Sequence, residues 1–183
     1  LVIICPAKLR PAFDKKHGTL TAANSSFLTD GGAASLIMTE DKAKELGLTP
    51  KSRIVEYVFT GQDVEDELLL GPAYAISQVL EKAGLTLDQM DVIELHEAFA
   101  GQIITNIKCL ASDEFAKEKL GRDKAVGIID EYKMNNWGGS LSIGHPFGAT
   151  GSRLITTASN RLLKEGGKYA ILAACAAGAH GHA

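Results

Sequence analysis

Gly144-His145-Pro146-Phe147-Gly148-Ala149-Thr150-Gly151 opens the passage whose reading decides the fold. It sets one imidazole among glycines just ahead of a helical pattern. Ser152 to Glu165 carries Leu154, Ile155, Ala158 and Leu162 on one face, and Gly166-Gly167 stops it. Tyr169-Ala170-Ile171-Leu172-Ala173-Ala174 then reads as a buried strand, the last one visible in the chain. Cys175-Ala176-Ala177-Gly178-Ala179-His180-Gly181 follows as a glycine-rich turn.

The same alternation extends upstream. Val92-Ile93-Glu94-Leu95 reads as a strand, and Glu97 to Leu110 as the helix after it. Pro72 opens a helix with Ala73, Ile76, Val79, Leu80 and Ala83 at helical spacing, ended by Gly84. Ile54 to Phe59 is β-branched and aromatic, and Ala33 to Met38 is an apolar run; both read as strands. Thr39 caps a short helix through Leu46, with Gly47 beyond it. Strands alternating with helices predict an α/β fold, a mixed β-sheet with helices on both faces. Residues 1–17 read as an extended connecting segment and 18–183 as the domain proper. Residues 111–134, charged and mixed, read as an excursion from it. The opening residue is not Met and the chain stops just after a glycine turn, so a longer parent and a further strand are expected.

Composition narrows the function. Hydrophobic residues make up 45% and charged residues 22% of 183, the usage of a globular protein with a sizeable core. Net charge is −3, and no Lys/Arg cluster points to nucleic acid. No apolar run is long enough to cross a bilayer. Cys5, Cys109 and Cys175 lack CxxC or zinc spacing, so each is either a small core residue or a reactive thiol. The core reading is preferred for Cys5 and Cys109.

Several residues bear on chemistry, each with a structural alternative. Gly144 and Gly148 let the backbone approach a ligand, and Pro146 fixes the turn, so His145 reads as a catalytic base; a phosphate cradle ahead of a helix is the competing reading. Cys175 closes an apolar strand where α/β folds place ligands, although burial alone would explain it. The small residues after it leave N–H groups free to meet an oxyanion. His96-Glu97-Ala98-Phe99 stands at a strand-to-helix junction, where Glu97 is either functional or a first-turn acid. His180 and His182 lack the spacing and acids of a metal site, and no metal is expected.

Taken together, these motifs resemble the C-terminal half of a thiolase over nearly the whole chain. Lys8 to Phe13 looks like the family's LKPAF segment. Gly18 to Ser26, with Asp30-Gly31-Gly32-Ala33-Ala34, resembles its GTVTAGNAS…DGAAA loop. His96 to Phe99 corresponds to NEAF, Gly144 to Gly151 to GHPxGxTG, and Cys175 to Gly181 to CxGGGxG. His at position 96, the NNWGGSLS lead-in and CAA at 175–177 resemble the branch that holds the β-subunits of mitochondrial trifunctional enzymes; the bacterial fatty-acid-oxidation forms are similar.

The resemblance implies a 3-ketoacyl-CoA thiolase of fatty acid β-oxidation, with coenzyme A as substrate and no cofactor. It implies that His145 activates a nucleophilic cysteine and forms an oxyanion hole with a water held by His96. Cys175 would protonate the departing acetyl-CoA carbanion and then deprotonate CoA. The Ala177 N–H would join a second oxyanion hole, Ser26 would lie near pantetheine, and Glu97 would order the site. The nucleophile itself belongs to the family's N-terminal half, and neither Cys5 nor Cys109 stands in its motif. Implied partners are acyl-CoA, the chain's own N-terminal thiolase domain, a second copy in a homodimer and a hydratase/dehydrogenase α-subunit. The implied setting is mitochondrial and inner-membrane-associated, with a bacterial cytoplasm as the alternative. A ketoacyl-synthase-like condensing enzyme, and a non-catalytic acyl-CoA-binding, lipid-transfer or assembly module, are the competing readings.

Overall fold

Two apolar runs far apart in sequence pair in parallel at the centre of the computed structural model, which describes residues 9–183. These are β2 (Val92–Leu95) and β3 (Ala170–Ala176), with Ile93 beside Ile171 and Leu95 beside Ala173. β4 (His180–His182) turns back antiparallel on β3, and β1 (Phe59–Gly61) pairs antiparallel with β4. The four-stranded mixed sheet therefore runs β1-β4-β3-β2.

Alternation along the strands sorts the two faces. Ile93, Leu95, Ile171 and Ala173 pack with Ala73, Ile76 and Leu80 of α2 (Gly71–Ala83). On the opposite face Glu94 meets Arg161 of α6 (Thr150–Glu165), Oε1 to Nη1 2.7 Å, with both side chains buried. Helices thus cover both faces, as expected. Gly84 ends α2 in the left-handed conformation, its N–H donating to the Glu81 and Leu80 carbonyls. Gly71 and Gly181 touch backbone to backbone, and a Cβ on either would collide with the other. That contact seats the start of α2 directly on β4.

α3 (Ala100–Leu110) packs on α2. Buried Asn106 joins them: its Oδ1 accepts from the Ala73 N–H at 2.9 Å and its Nδ2 donates to the Leu69 carbonyl at 2.9 Å. α1 (Glu40–Glu45) is capped by Thr39, as its sequence suggests.

Four expectations need correction. Ala33–Met38 forms no strand and pairs with none among the described residues, with Leu36 81% and Ile37 65% exposed. A strand needs a ladder partner, and this run lies instead beside α6, where Ser35 and Thr156 hydroxyls meet at 3.3 Å. Of Ile54–Phe59, strand geometry begins at Phe59, although Val58 exchanges backbone hydrogen bonds with Ala183. The helix expected from Glu97 starts at Ala100, because Phe99 is still extended. The strand ending at Ala174 runs on to Ala176 and is not the last, since β4 follows within the glycine-rich turn. The 111–134 stretch contains an ordered α4 (Asp113–Lys119), and Ala116 and Ile129 are buried. Cys109 packs against the core as expected, while Cys5 lies outside the described residues.

Candidate active site

Two imidazoles come together at the carboxyl end of the parallel pair. His96 follows β2 and extends its ladder, its N–H donating to the Ala173 carbonyl at 2.8 Å. Its side chain is buried, and Nδ1 lies 2.8 Å from the Ser140 hydroxyl. His145 is delivered from the other side. Gly144 turns the chain at a φ of 93°, where a side chain would strike Thr29 and Phe27. The His145 N–H then donates to the Phe27 carbonyl at 3.0 Å, and its Nδ1 lies 2.8 Å from Thr150 Oγ1 at the start of α6. The two rings sit 4.2 Å apart, centre to centre, tilted by 38°. With both Nδ1 atoms held by hydroxyls, both Nε2 atoms are left without a hydrogen-bond partner among the described residues.

Both imidazoles are held neutral. Burial, followed by the charges of His145 and Arg153, lowers His96 to about 4. His145 is lowered by burial and then by Arg153. Arg153 projects from α6 to Gly138 and Ser140, Nη2 lying 3.4 Å from Ser140 Oγ.

Glu97 stands ahead of α3, not in its first turn, so the helix-dipole explanation does not apply to it. Its Oε1 accepts from Asn135 Nδ2 at 2.6 Å and its Oε2 from the Leu141 N–H at 3.0 Å. Asn135 adopts the left-handed conformation at a φ of 50°, which its short amide tolerates. Its side chain also closes both backbone groups of Leu95, accepting from N–H and donating to C=O at 2.8 Å each.

The remaining expected residues surround this centre. Ser26 donates its N–H to the Ala98 carbonyl at 2.9 Å, which ties the 24–28 loop to the Glu97 turn. One residue beyond His145 begins an open groove of about 740 Å³, lined by Leu28, Thr29, Asp30, Gly31, Pro146 and Phe147. Cys175 lies in β3 two residues past Ala173, buried, its thiol pushed up by desolvation. No hydrogen bond joins it to either imidazole among the described residues. Exposed Ala177 lies in the three-residue turn between β3 and β4, in which Ala179 is left-handed at a φ of 58°. Asn135, Ser140, Thr150 and Arg153 join the site without being marked as site residues by the sequence reading. The Asn-Asn-Trp-Gly-Gly run is a signal for Asn135; the other three act through proximity that their spacing does not reveal.

An imidazole pair at the strand ends, with a buried thiol on the neighbouring strand, can move protons and hold an anion. Residues 48–183 match the model for the thiolase C-terminal domain and residues 6–41 that for the thiolase N-terminal domain. The chain is 59% identical to the mitochondrial trifunctional enzyme subunit beta of Bos taurus, over 97% of its own length and 37% of that protein's. It is 55% identical to a 3-ketoacyl-CoA thiolase of Cronobacter sakazakii, over 97% of this chain and 41% of that one. Among solved structures it matches human mitochondrial 3-ketoacyl-CoA thiolase in complex with CoA, with a TM-score of 0.75, 35% identity, and 96% and 40% of the two chains covered. The chain belongs to the thiolase family. It spans about two fifths of the length of these relatives.

Proposed function

We propose that this chain carries the acid–base half of a 3-ketoacyl-CoA thiolase, which transfers an acyl group to coenzyme A and releases acetyl-CoA. The observation that carries the reading is the pair of neutral imidazoles 4.2 Å apart with both Nε2 atoms unengaged among the described residues. Neutral His145 takes the proton of a nucleophilic cysteine supplied by an N-terminal thiolase domain. The thiolate adds to the 3-keto carbon of the substrate, and donors at His96 and His145 face the oxyanion. The C2–C3 bond then breaks and its electron pair goes to C2 of acetyl-CoA. Cys175 protonates that carbon. Its raised pKa suits both proton transfers, since the thiol is protonated at neutral pH and the thiolate left behind is a competent base for the incoming CoA thiol. CoA attacks the acyl thioester, the Ala177 N–H helping to hold that oxyanion, and the nucleophile leaves and takes its proton back from His145. Glu97 orders the turn, and Ser26 and the groove beside it border the pantetheine arm. The reaction uses CoA as substrate and no cofactor. Homodimerisation, a hydratase/dehydrogenase α-subunit and a mitochondrial, inner-membrane-associated setting belong to the same reading.

The test compares thiolysis of a 3-ketoacyl-CoA with single-turnover acylation by a simple acyl-CoA in the full-length protein. Cys175→Ser should lower thiolysis by roughly 10²–10⁴-fold and acylation much less. His145→Ala should impair both. Equal, small losses in Cys175→Ser would reduce the residue to core packing and overturn the assignment.

A further inference from the structure

We propose that Ser140 is a positioning residue which, with Arg153, fixes His96 as the Nε2–H tautomer, so that residue 96 serves as a hydrogen-bond donor and not as a base. The donors and acceptors around the ring decide this. A guanidinium has donors and no acceptor. Arg153 Nη2 points at Ser140 Oγ from 3.4 Å, and Nη1 at the Gly138 carbonyl from 3.5 Å. The Ser140 oxygen therefore accepts on that side. Ser140 is 0% exposed, so solvent does not reach its proton. The one acceptor within hydrogen-bond distance of that hydroxyl, among the described residues, is His96 Nδ1 at 2.8 Å.

The alternative tautomer fails on the same count. With the proton on Nδ1, the Ser140 oxygen would face two donors, and its own proton would be buried without an acceptor, which folded proteins avoid. The hydroxyl proton must go to Nδ1, and the ring proton to Nε2. The surroundings also keep the ring singly protonated: Arg153 and the His145 ring 4.2 Å away each disfavour a second proton on it. Glu94 lies on the opposite face of the sheet against Arg161, and Glu97 is engaged by Asn135 and Leu141. Under the thiolase reading, the fixed Nε2–H is the group that holds a water or an oxyanion beside His145. The tautomer itself does not depend on that reading.

Nitrogen NMR of the full-length protein labelled with ¹⁵N-histidine tests the assignment, the His96 signals being identified by their loss in His96→Asn. The expected spectrum at neutral pH has an unprotonated, hydrogen-bonded Nδ1 and a protonated Nε2. Ser140→Ala removes one buried oxygen. It should give a mixture of tautomers and lower kcat for thiolysis about tenfold, with KM little changed, the effect of one lost hydrogen bond. A His96 protonated at Nδ1 in the parent protein, or an unchanged tautomer in Ser140→Ala, would overturn the proposal. If Ser140→Ala does not fold, the parent spectrum alone decides. A protein that shows the expected tautomer but no thiolysis would refute the functional reading and leave the tautomer assignment standing.

Discussion

The carboxylate of Glu97 fills the space in which a side chain on Gly139 would stand. Both partners are fixed. Glu97 is held by Asn135 and the Leu141 N–H, and Gly139 precedes α5 (Ser140–Ile143), which carries Ser140 to His96. The turn after β2 and the loop before His145 are therefore fitted to each other through one missing methyl group.

Gly139→Ala should push the Glu97 carboxylate off both of its donors. The expected cost is about 1–3 kcal/mol, the usual range for overpacking a filled site, read as a lower urea midpoint with an unchanged slope. Thiolysis should fall as well, because the displaced loop also carries Ser140. An unchanged midpoint would mean that Glu97 has room to move and orders nothing.

Protonation should destabilise the fold through His96. His96 titrates at about 4 in the fold against 6.5 outside it. Between these values the unfolded chain binds more protons, so stability rises with pH in that window. The contribution is fully present above 6.5 and is lost as pH falls towards 4. Compared with His96→Asn, the parent should lose stability over this range at up to about 1.4 kcal/mol per pH unit, measured by urea unfolding at each pH. A difference that stays constant with pH would show that His96 charges as readily in the fold as outside it.

The buried pair behind the sheet should respond unequally to single and double substitution. Arg161→Met leaves Glu94 buried without its cation and should cost about 3–5 kcal/mol. Burial already raises the Glu94 pKa and its Oε2 has no hydrogen-bond partner among the described residues, so losing the cation leaves it an unpaired charge or a proton to take up. Glu94→Leu combined with Arg161→Met should recover most of the stability. Denaturation midpoints of the three variants settle it, and a double variant no better than the single one would contradict the desolvation argument.

Exposed apolar side chains at 36, 37, 54, 55, 57 and 59 should make this 183-residue chain self-associate. Light scattering should detect oligomers that bind an apolar-surface dye. Leu36→Ser with Ile37→Ser should reduce both signals. A clean monomer at high concentration, with no dye binding, would argue against an uncovered face.

What could be read from sequence follows from where each signal resides. β2, β3, α2 and α6 are legible because their evidence is local: continuous apolar runs, Pro72 at a helix start, Gly84 and Gly166 at helix ends. Ala33–Met38 misleads because strand composition does not supply a ladder partner. β4 is hidden because His180-Gly181-His182 has no strand composition and is extended by pairing with Ala174–Ala176. His96 and His145 stand out through their glycine-rich or strand-end settings. Ser140, Thr150 and Arg153 do not, since a hydroxyl or guanidinium gains its role here only from what the fold brings within reach of it.

The parallel pairing of Val92–Leu95 with Ala170–Ala173 also sets the order in which the protein matures. During synthesis β2 emerges with no partner, and a sheet of this kind needs a long loop to close before any pairing is rewarded. Until residues near 170 leave the ribosome, an apolar segment waits unpaired, the condition under which nascent chains misassociate. His96 gains its place through the same event, because its N–H is anchored on Ala173. Placement of His96 and sheet closure are thus one late step, so a prematurely terminated chain carries strand β2 as a liability with the imidazole pair still unassembled.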